Sequence, residues 1–459
     1  MGDSKSIDFA PGFNGSLRVE GRPEKLTANA GLVLLRELDD RLGISEELSE
    51  SLVDHRSPDR IVHPQRQMIR ALVQGMAIGS MQTSATADMG DDELFRMTAS
   101  DKKGLSMVTD DQAIASQPTL SRFMGTLASD VNLPTLRSAI FDSAVKAVHG
   151  ANGAKLEEVT LDIDSYPIRV DGSQAGSEFN GHYDMRCYHP LGVMLGETGH
   201  WLDLHLRPGA VHTANGAKEM LSPLIDQARE RLSDNVRVRG DAGFIEPGIL
   251  EMLDEKNVPY ALRLPTNKLL KEYEEIHARR SPGRRPDYEQ VFCYEIDYRA
   301  ETWKAPRRVV LVVVDTPGEL FLNSFFIVTS FSEGELCGRD VLDFYRTRGT
   351  MEGHIGEMKS VIEGRLSSTN RQKSRYAHHE VSHHAEPIDP ERVNAAALCL
   401  HAIAYNLLST LRSLAGDSDF IDEAPGLGLK RARRMLRIPG RIVISARRAT
   451  LVIKETALA

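Results

Sequence analysis

Tyr345-Arg-Thr-Arg348-Gly-Thr-Met-Glu352-Gly-His-Ile-Gly-Glu-Met-Lys359 is a stretch in which polar residues, not apolar ones, recur at helical spacing. At about 100° per residue, Tyr345, Arg348, Glu352 and Lys359 fall within roughly 60° of one another around a helix axis. A helix that packs on a sheet normally gives such a stripe to Leu or Val. Here it carries one carboxylate flanked by two cations and a phenol. Cations suit phosphate oxygens and a carboxylate suits Mg²⁺, so the set fits a phosphodiester. A solvated helix face with i,i+4 ion pairs presents a similar stripe, and other parts of the chain must decide.

Two-metal phosphodiester chemistry needs several carboxylates converging on ions about 4 Å apart. Upstream, Val159-Thr-Leu-Asp162-Ile-Asp164-Ser-Tyr reads as an apolar strand with two acids. Spaced by two, they share one face. Charges inside such a strand are costly to bury without a cation or partner; an edge strand with one solvated face is the alternative. Asp241, in Val236-Arg-Val-Arg-Gly-Asp-Ala-Gly-Phe, lies just past a strand in a Gly-flanked turn. Active sites of α/β proteins gather there, although a plain turn Asp fits as well.

The spacing Tyr-(2)-Arg-(3)-Glu-(6)-Lys, without gap or substitution, resembles the signature of bacterial insertion-sequence DDE transposases, the hairpin-forming cut-and-paste type. The order Asp, Asp, Glu, with a β-rich stretch between the second and third, resembles their ribonuclease-H-like catalytic core. Phe179-Asn-Gly-His-Tyr-Asp-Met-Arg-Cys-Tyr-His-Pro190 and Gly440-Arg-Ile-Val-Ile-Ser-Ala-Arg-Arg-Ala-Thr-Leu451 also resemble one such family, and the likeness covers roughly residues 30–455. It implies Asp164, Asp241 and Glu352 as catalytic residues holding two Mg²⁺, with Mn²⁺ as a substitute. Asp164 is favoured over Asp162 because a small hydroxyl residue, Ser165, follows it. Asp162 would be a further ligand or an orienting group outside the ligand shell. Tyr345, Arg348 and Lys359 would grip phosphates near the cut end. Trp303 would stack a flipped base, worth about 1–3 kcal/mol; a packing Trp is the alternative. The implied partners are double-stranded DNA, as terminal inverted repeats and as target, and a second copy of the chain in a synaptic dimer. Two other readings stay open: a ribonuclease-H-like nuclease without strand transfer, and an inert transposase-derived DNA-binding protein.

The bulk properties are compatible. At 459 residues the chain is long enough for two to four domains. It shows no run of 18 apolar residues and no apolar signal core at the start, so no membrane partner is expected. Four scattered cysteines suit a reducing compartment, here a bacterial cytoplasm with the nucleoid at hand. The net charge of −9 argues against a nucleic-acid binder. Its distribution weakens that argument, because residues 430–454 hold nine Lys and Arg and no acid. Arg431, Arg434, Arg447 and Arg448 of that tail are candidate DNA contacts.

The expected fold is multidomain α/β. Residues 1–155 read as a helical DNA-binding region after a loose arm over 1–25. Its helices are Leu32–Leu42, Gln65–Ile78, one from Pro118, and Asn132–Val148; residues 80–115 read as acidic and irregular. Ser116–Arg122 is either a phosphate-facing helix start or an ordinary capped one. Residues 156–266 form the first part of a core with a mixed five-stranded sheet and a helix over Ala217–Leu232. Residues 267–340 read as an inserted β subdomain, 341–370 as the catalytic helix, and 371–459 as a helical and basic end. Within these, Arg207–Gly216 suits either a phosphate or a plain strand–helix connection. His378–His384 pairs its histidines at i,i+5, poor for zinc on one helix face, and reads as an exposed loop. Tyr405 and Asn406 in the apolar helix from Arg392 read as packing and polar satisfaction.

Overall fold

The computed structural model of the chain describes residues 8–9, 11–14, 16–17, 19–20, 24–80, 82–102, 114–172, 174–280, 287–362, 366, 389–414, 425–445 and 448–455. Its centre is an eight-stranded mixed sheet. In chain order the strands are β1 (Val159–Ser165), β2 (Leu191–Leu195), β3 (Trp201–His205), β4 (Val236–Gly240), β5 (Tyr260–Leu264), β6 (Gln290–Tyr298), β7 (Arg307–Asp315) and β8 (Asn323–Thr329). Their spatial order is β6-β7-β8-β5-β4-β1-β2-β3. β1, β2 and β3 form an antiparallel meander, β4 and β5 run parallel to β1, and β8, β7 and β6 continue antiparallel. β1 and β4 are buried on both faces although Val, Leu and Ile alternate in them with Thr, Asp and Arg, so their polar side chains need partners inside the protein.

This corrects the expected five-stranded sheet with a separate β insertion. The strands of residues 267–340 do not make a sheet of their own; β8 pairs with β5 and extends the main one. The cause is visible in β7, Arg-Arg-Val-Val-Leu-Val-Val-Val-Asp, whose middle six residues are all buried. A strand apolar on both faces must be covered on both. Periodicity gives a strand's extent but not its neighbour.

The helices used below are α1 (Leu32–Leu42), α2 (Gln65–Ile78), α3 (Asn132–Asn152), α4 (Ala217–Arg231), α5 (Gly338–Arg346), α6 (Gly349–Glu357), α7 (Pro390–Leu414) and α8 (Pro425–Leu436). α1 ends at Gly43, whose φ of 63° is the left-handed cap glycine adopts without penalty. The acidic stretch 80–115 is less irregular than its composition suggests: Thr83–Asp88 and Glu93–Ala99 are helical. Asp92 supplies the missing order by accepting from the Leu94 and Phe95 backbone N–H groups. The N-terminal arm is tied down at Lys25–Thr27, which pairs with Gly440–Ser445; the tail Gly440–Ser445 and Arg448–Ile453 is a hairpin. The expected single helix over 345–359 is broken. α5 stops at Arg346, α6 starts at Gly349, and Met358–Ile362 forms a π-helical turn.

α7 is long and apolar enough to cross a membrane by length and composition, but 83% of its apolar window is buried inside the protein. It is the axis on which α1, α2, α3 and strand β3 pack. Trp201 of β3 lies across Gly192 of β2, where a side-chain Cβ would stand 2.3 Å from the indole. Asn406 is the polar joint of this layer. Its Oδ1 accepts from the Trp201 N–H (2.8 Å), and its Nδ2 donates to Trp201 O (2.9 Å) and Ser143 Oγ (2.8 Å). Asn406→Leu keeps the volume but strands two buried backbone groups at about 1–3 kcal/mol each. A loss of about 3 kcal/mol in urea unfolding is therefore expected; an unchanged midpoint would show that the joint contributes nothing.

Candidate active site

Asp164 sits at the C-terminal end of β1 and Asp241 just past the adjacent parallel β4, so the register of the pair brings the two acids to the same end of the sheet. Asp241 is held by its own turn, its carboxylate accepting from the Gly243 N–H at 2.9 Å. α6 presents Glu352 across from them. All three acids line one cleft of about 730 Å³, with Arg348 and Lys359.

Arg348, at the α5–α6 break, fills the space between the acids. Its Nη2 is 2.8 Å from Asp164 and its Nη1 3.1 Å from Glu352. Its Nε is buried with no hydrogen-bond partner. Burial pushes the Asp164 carboxyl up to about 6; Arg348 and the Ser165 N–H oppose the shift, and Asp241 and Glu352 add to it. Glu352 is the exposed member, its side chain 65% accessible against 10% for Asp164. Lys359, on the π turn, holds its ammonium 5.0 Å above the Tyr166 ring. Burial lowers its proton affinity, and the nearby Asp164 charge partly restores it.

Several expected site residues are elsewhere. Tyr345 is buried against Phe325, ring centroids 6.4 Å apart, and does not line the cleft. Its phenol still lies within electrostatic reach of Arg348, Asp241 and Glu352, behind the cleft wall. Asp162 is 1% exposed with both oxygens bonded to Arg239, at 2.7 and 2.8 Å, so it offers no free ligand atom. Trp303 is buried edge-on to Tyr298 at 5.5 Å, with Arg307 over its ring, and cannot stack a base in this arrangement. Exposed aromatics of the same region are Tyr288, Phe292 and Phe321. In the tail, Arg431 and Arg434 lie exposed on α8 and Arg448 is exposed on the terminal hairpin, away from the cleft lining. Arg447 and His378–His384 fall outside the described residues.

The rest of the cleft lining comes mainly from the Phe179–Pro190 and Arg207–Gly216 stretches and from Tyr166. Its polar side chains include Asn180, His182, Tyr183, His189, His212 and Thr213. The first stretch turns at His182–Asp184, with Asp184 in the left-handed region at φ 51°. The loop Arg207–Gly216 is shaped by Arg207, whose guanidinium donates to the carbonyls of His189 and Thr213 at 2.9 and 3.0 Å.

The donor set suits a hard divalent cation: carboxylate oxygens, uneven in exposure, on one cleft. Among the described residues no three His, Cys, Asp or Glu side chains are already gathered at ligating distance. Arg348 supplies the positive charge in their midst, and its buried Nε has no hydrogen-bond partner.

The family model described as "Transposase DDE domain group 1" matches residues 9–458. Comparison with the curated proteins gives no match. Among solved structures, the chain is similar to a piggyBac transposase in a synaptic complex with hairpin DNA. The two are 12% identical with a TM-score of 0.40, over 88% of this chain and 80% of that one. A family match spanning nearly all of the sequence identifies the chain as a member of the DDE transposase family.

Proposed function

We propose that the chain excises and reinserts an insertion sequence by metal-dependent hydrolysis and strand transfer at terminal inverted repeats, through a DNA hairpin, as a dimer that synapses two ends. The observation that carries this reading is the convergence of Asp164, Asp241 and Glu352 on one cleft with Arg348 and Lys359. The ribonuclease-H-like character of the core is supported by the order β3-β2-β1-β4-β5 with only β1, β4 and β5 parallel.

Asp164, Asp241 and Glu352 would hold two divalent ions, Mg²⁺ or Mn²⁺. Bound there, the ions supply Lewis-acid stabilisation of the phosphorane charge and a lowered pKa for the attacking water or hydroxyl. In the first step water attacks phosphorus and the bond to the 3′ oxygen breaks, leaving a 3′-hydroxyl and a 5′-phosphate. That hydroxyl then attacks phosphorus in the opposite strand and displaces the flanking strand's 3′ oxygen, closing a hairpin. Water cleaves the new bond to free the 3′-hydroxyl again, which joins target DNA by displacing a target 3′ oxygen. Arg348 bridges two acids in the DNA-free chain, and a phosphate would give its free Nε and fork a charged acceptor. Lys359 acts as a second point charge on the same cleft. The basic helix α8 and terminal hairpin would contact the DNA backbone outside it.

Cleavage of a labelled duplex carrying the element's own end tests this directly. Asp164→Asn, Asp241→Asn and Glu352→Gln each remove a ligand charge worth several kcal/mol of transition-state stabilisation, at least about a thousandfold in rate. Each is expected to bind the duplex and fail to cut it. Mg²⁺-dependent nicks without hairpin or joined product would support a nuclease without strand transfer, and binding without any cutting by the wild type an inert DNA-binding protein.

The pH dependence has a defined sign. Asp164 is neutral below about 6, and a ligand must be ionised. The single-turnover rate at low Mg²⁺ is therefore expected to fall as pH drops through about 6. Raising Mg²⁺ should move that midpoint lower, because the cation competes with the proton. A profile flat between pH 5 and 7 at low Mg²⁺ would remove Asp164 from the metal site.

A further inference from the structure

We propose that the buried Asp162–Arg239 pair is a positioning device that sets the catalytic turn, an inference that rests on the function proposed above. Asp162 and Arg239 are register partners across the parallel strands β1 and β4. Their side chains are 1% and 5% exposed and meet as a two-pronged pair at 2.7 and 2.8 Å. Each stands two residues before a cleft acid: Asp164 on β1 and Asp241 just past β4.

The guanidinium has a second job. Its Nη1 donates to the carbonyl of Phe344 at 2.7 Å and reaches the hydroxyl of Thr347. Thr347 Oγ1 itself bonds Phe344 O at 2.8 Å. Arg239 thus caps the C-terminal end of α5, where orphan carbonyls and the helix dipole favour a cation. Its charge also lies 4.9 Å from the centroid of the Phe344 ring. The next residue along is Arg348, followed within a turn by Glu352. One ion pair therefore connects the three elements that carry the three acids: β1, β4 and the α5–α6 break.

Lysine could not replace Arg239, since a single ammonium cannot span the Asp162 carboxylate and the helix end with a planar fork. The cavity is also shaped from a fourth side. A Cβ on Gly196, after β2, would stand 2.6 Å from Arg239 Nη2 and 2.9 Å from Asp162 Oδ2. Gly196 leaves the room the pair needs, and Gly196→Ala presses on it without altering any charge. Asp162 and Arg239 touch neither metal nor DNA in this account; they act through Thr347, Arg348 and Glu352.

The test uses full-length Arg239→Lys, Asp162→Asn and Gly196→Ala beside wild type and Glu352→Gln. Three readouts are combined: hydrogen exchange, Mn²⁺ affinity by titration calorimetry, and single-turnover cleavage of the end duplex. Faster exchange confined to residues 344–352 is expected in Arg239→Lys and Asp162→Asn, with Mn²⁺ affinity and cleavage rate each lowered roughly 10- to 100-fold. The KM for duplex should stay unchanged, and the double variant should be no worse than the poorer single one. Gly196→Ala should show the same pattern more weakly. Folded variants with wild-type exchange at the turn and wild-type Mn²⁺ affinity would overturn the proposal. So would losses that track global unfolding and raise KM equally. If wild type cuts no duplex while Arg239→Lys still loosens the turn and weakens Mn²⁺, the functional reading fails and the positioning role stands.

Discussion

Two carboxylates on one face of a buried strand have to be compensated, and that constraint organises the centre of this protein. Asp162 and Asp164 are both nearly inaccessible on β1. An uncompensated charge there would cost several kcal/mol. The chain answers with two arginines of different kinds. Arg239 arrives from the neighbouring strand and is saturated: two bonds to Asp162, others to the end of α5. Arg348 arrives from the helix break and is unsaturated, with an orphaned Nε and a partner, Glu352, that is largely solvent-exposed. The first pair is built to stay; the second is built from groups that have other partners to gain.

That division separates the two acids. Asp162 is committed to Arg239, whereas Asp164 opens on the cleft. Asp164 keeps a proton to about pH 6 because burial and the neighbouring Asp241 and Glu352 outweigh Arg348, so a divalent cation would relieve a real electrostatic cost at neutral pH. The cleft holds Asp164, Asp241 and Glu352 together, the geometry on which the proposed function rests.

Extents of elements were legible where periodicity is strong. Leu32–Leu42 and Gln65–Ile78 have the bounds their apolar patterns indicate. Pairing was not, because period and propensity describe one strand at a time; hence β6, β7 and β8 read as an insertion. The order of the acids along the chain was visible, and Ser165 pointed to Asp164 over Asp162, but the partner of Asp162 depended on register. Arg237 and Arg239 alternate on β4, and only pairing shows that Arg239 faces Asp162 while Arg237 goes to Glu158. Regular helical spacing over 345–359 could not show the break at Thr347–Arg348 or the π turn, nor that Tyr345 is buried against Phe325. Trp303 looked available because its cover, Tyr298 and Arg307, comes from the flanking strands β6 and β7.

The central claim is that these acids form one metal site from which Arg348 withdraws. Anomalous diffraction from crystals of the chain soaked in Mn²⁺ and bound to an end duplex tests it most directly. Two peaks bounded by Asp164, Asp241 and Glu352, with Arg348 turned to a phosphate, are the expected result. Peaks at other residues, or an Arg348 still bridging Asp164 and Glu352 with DNA in place, would contradict it.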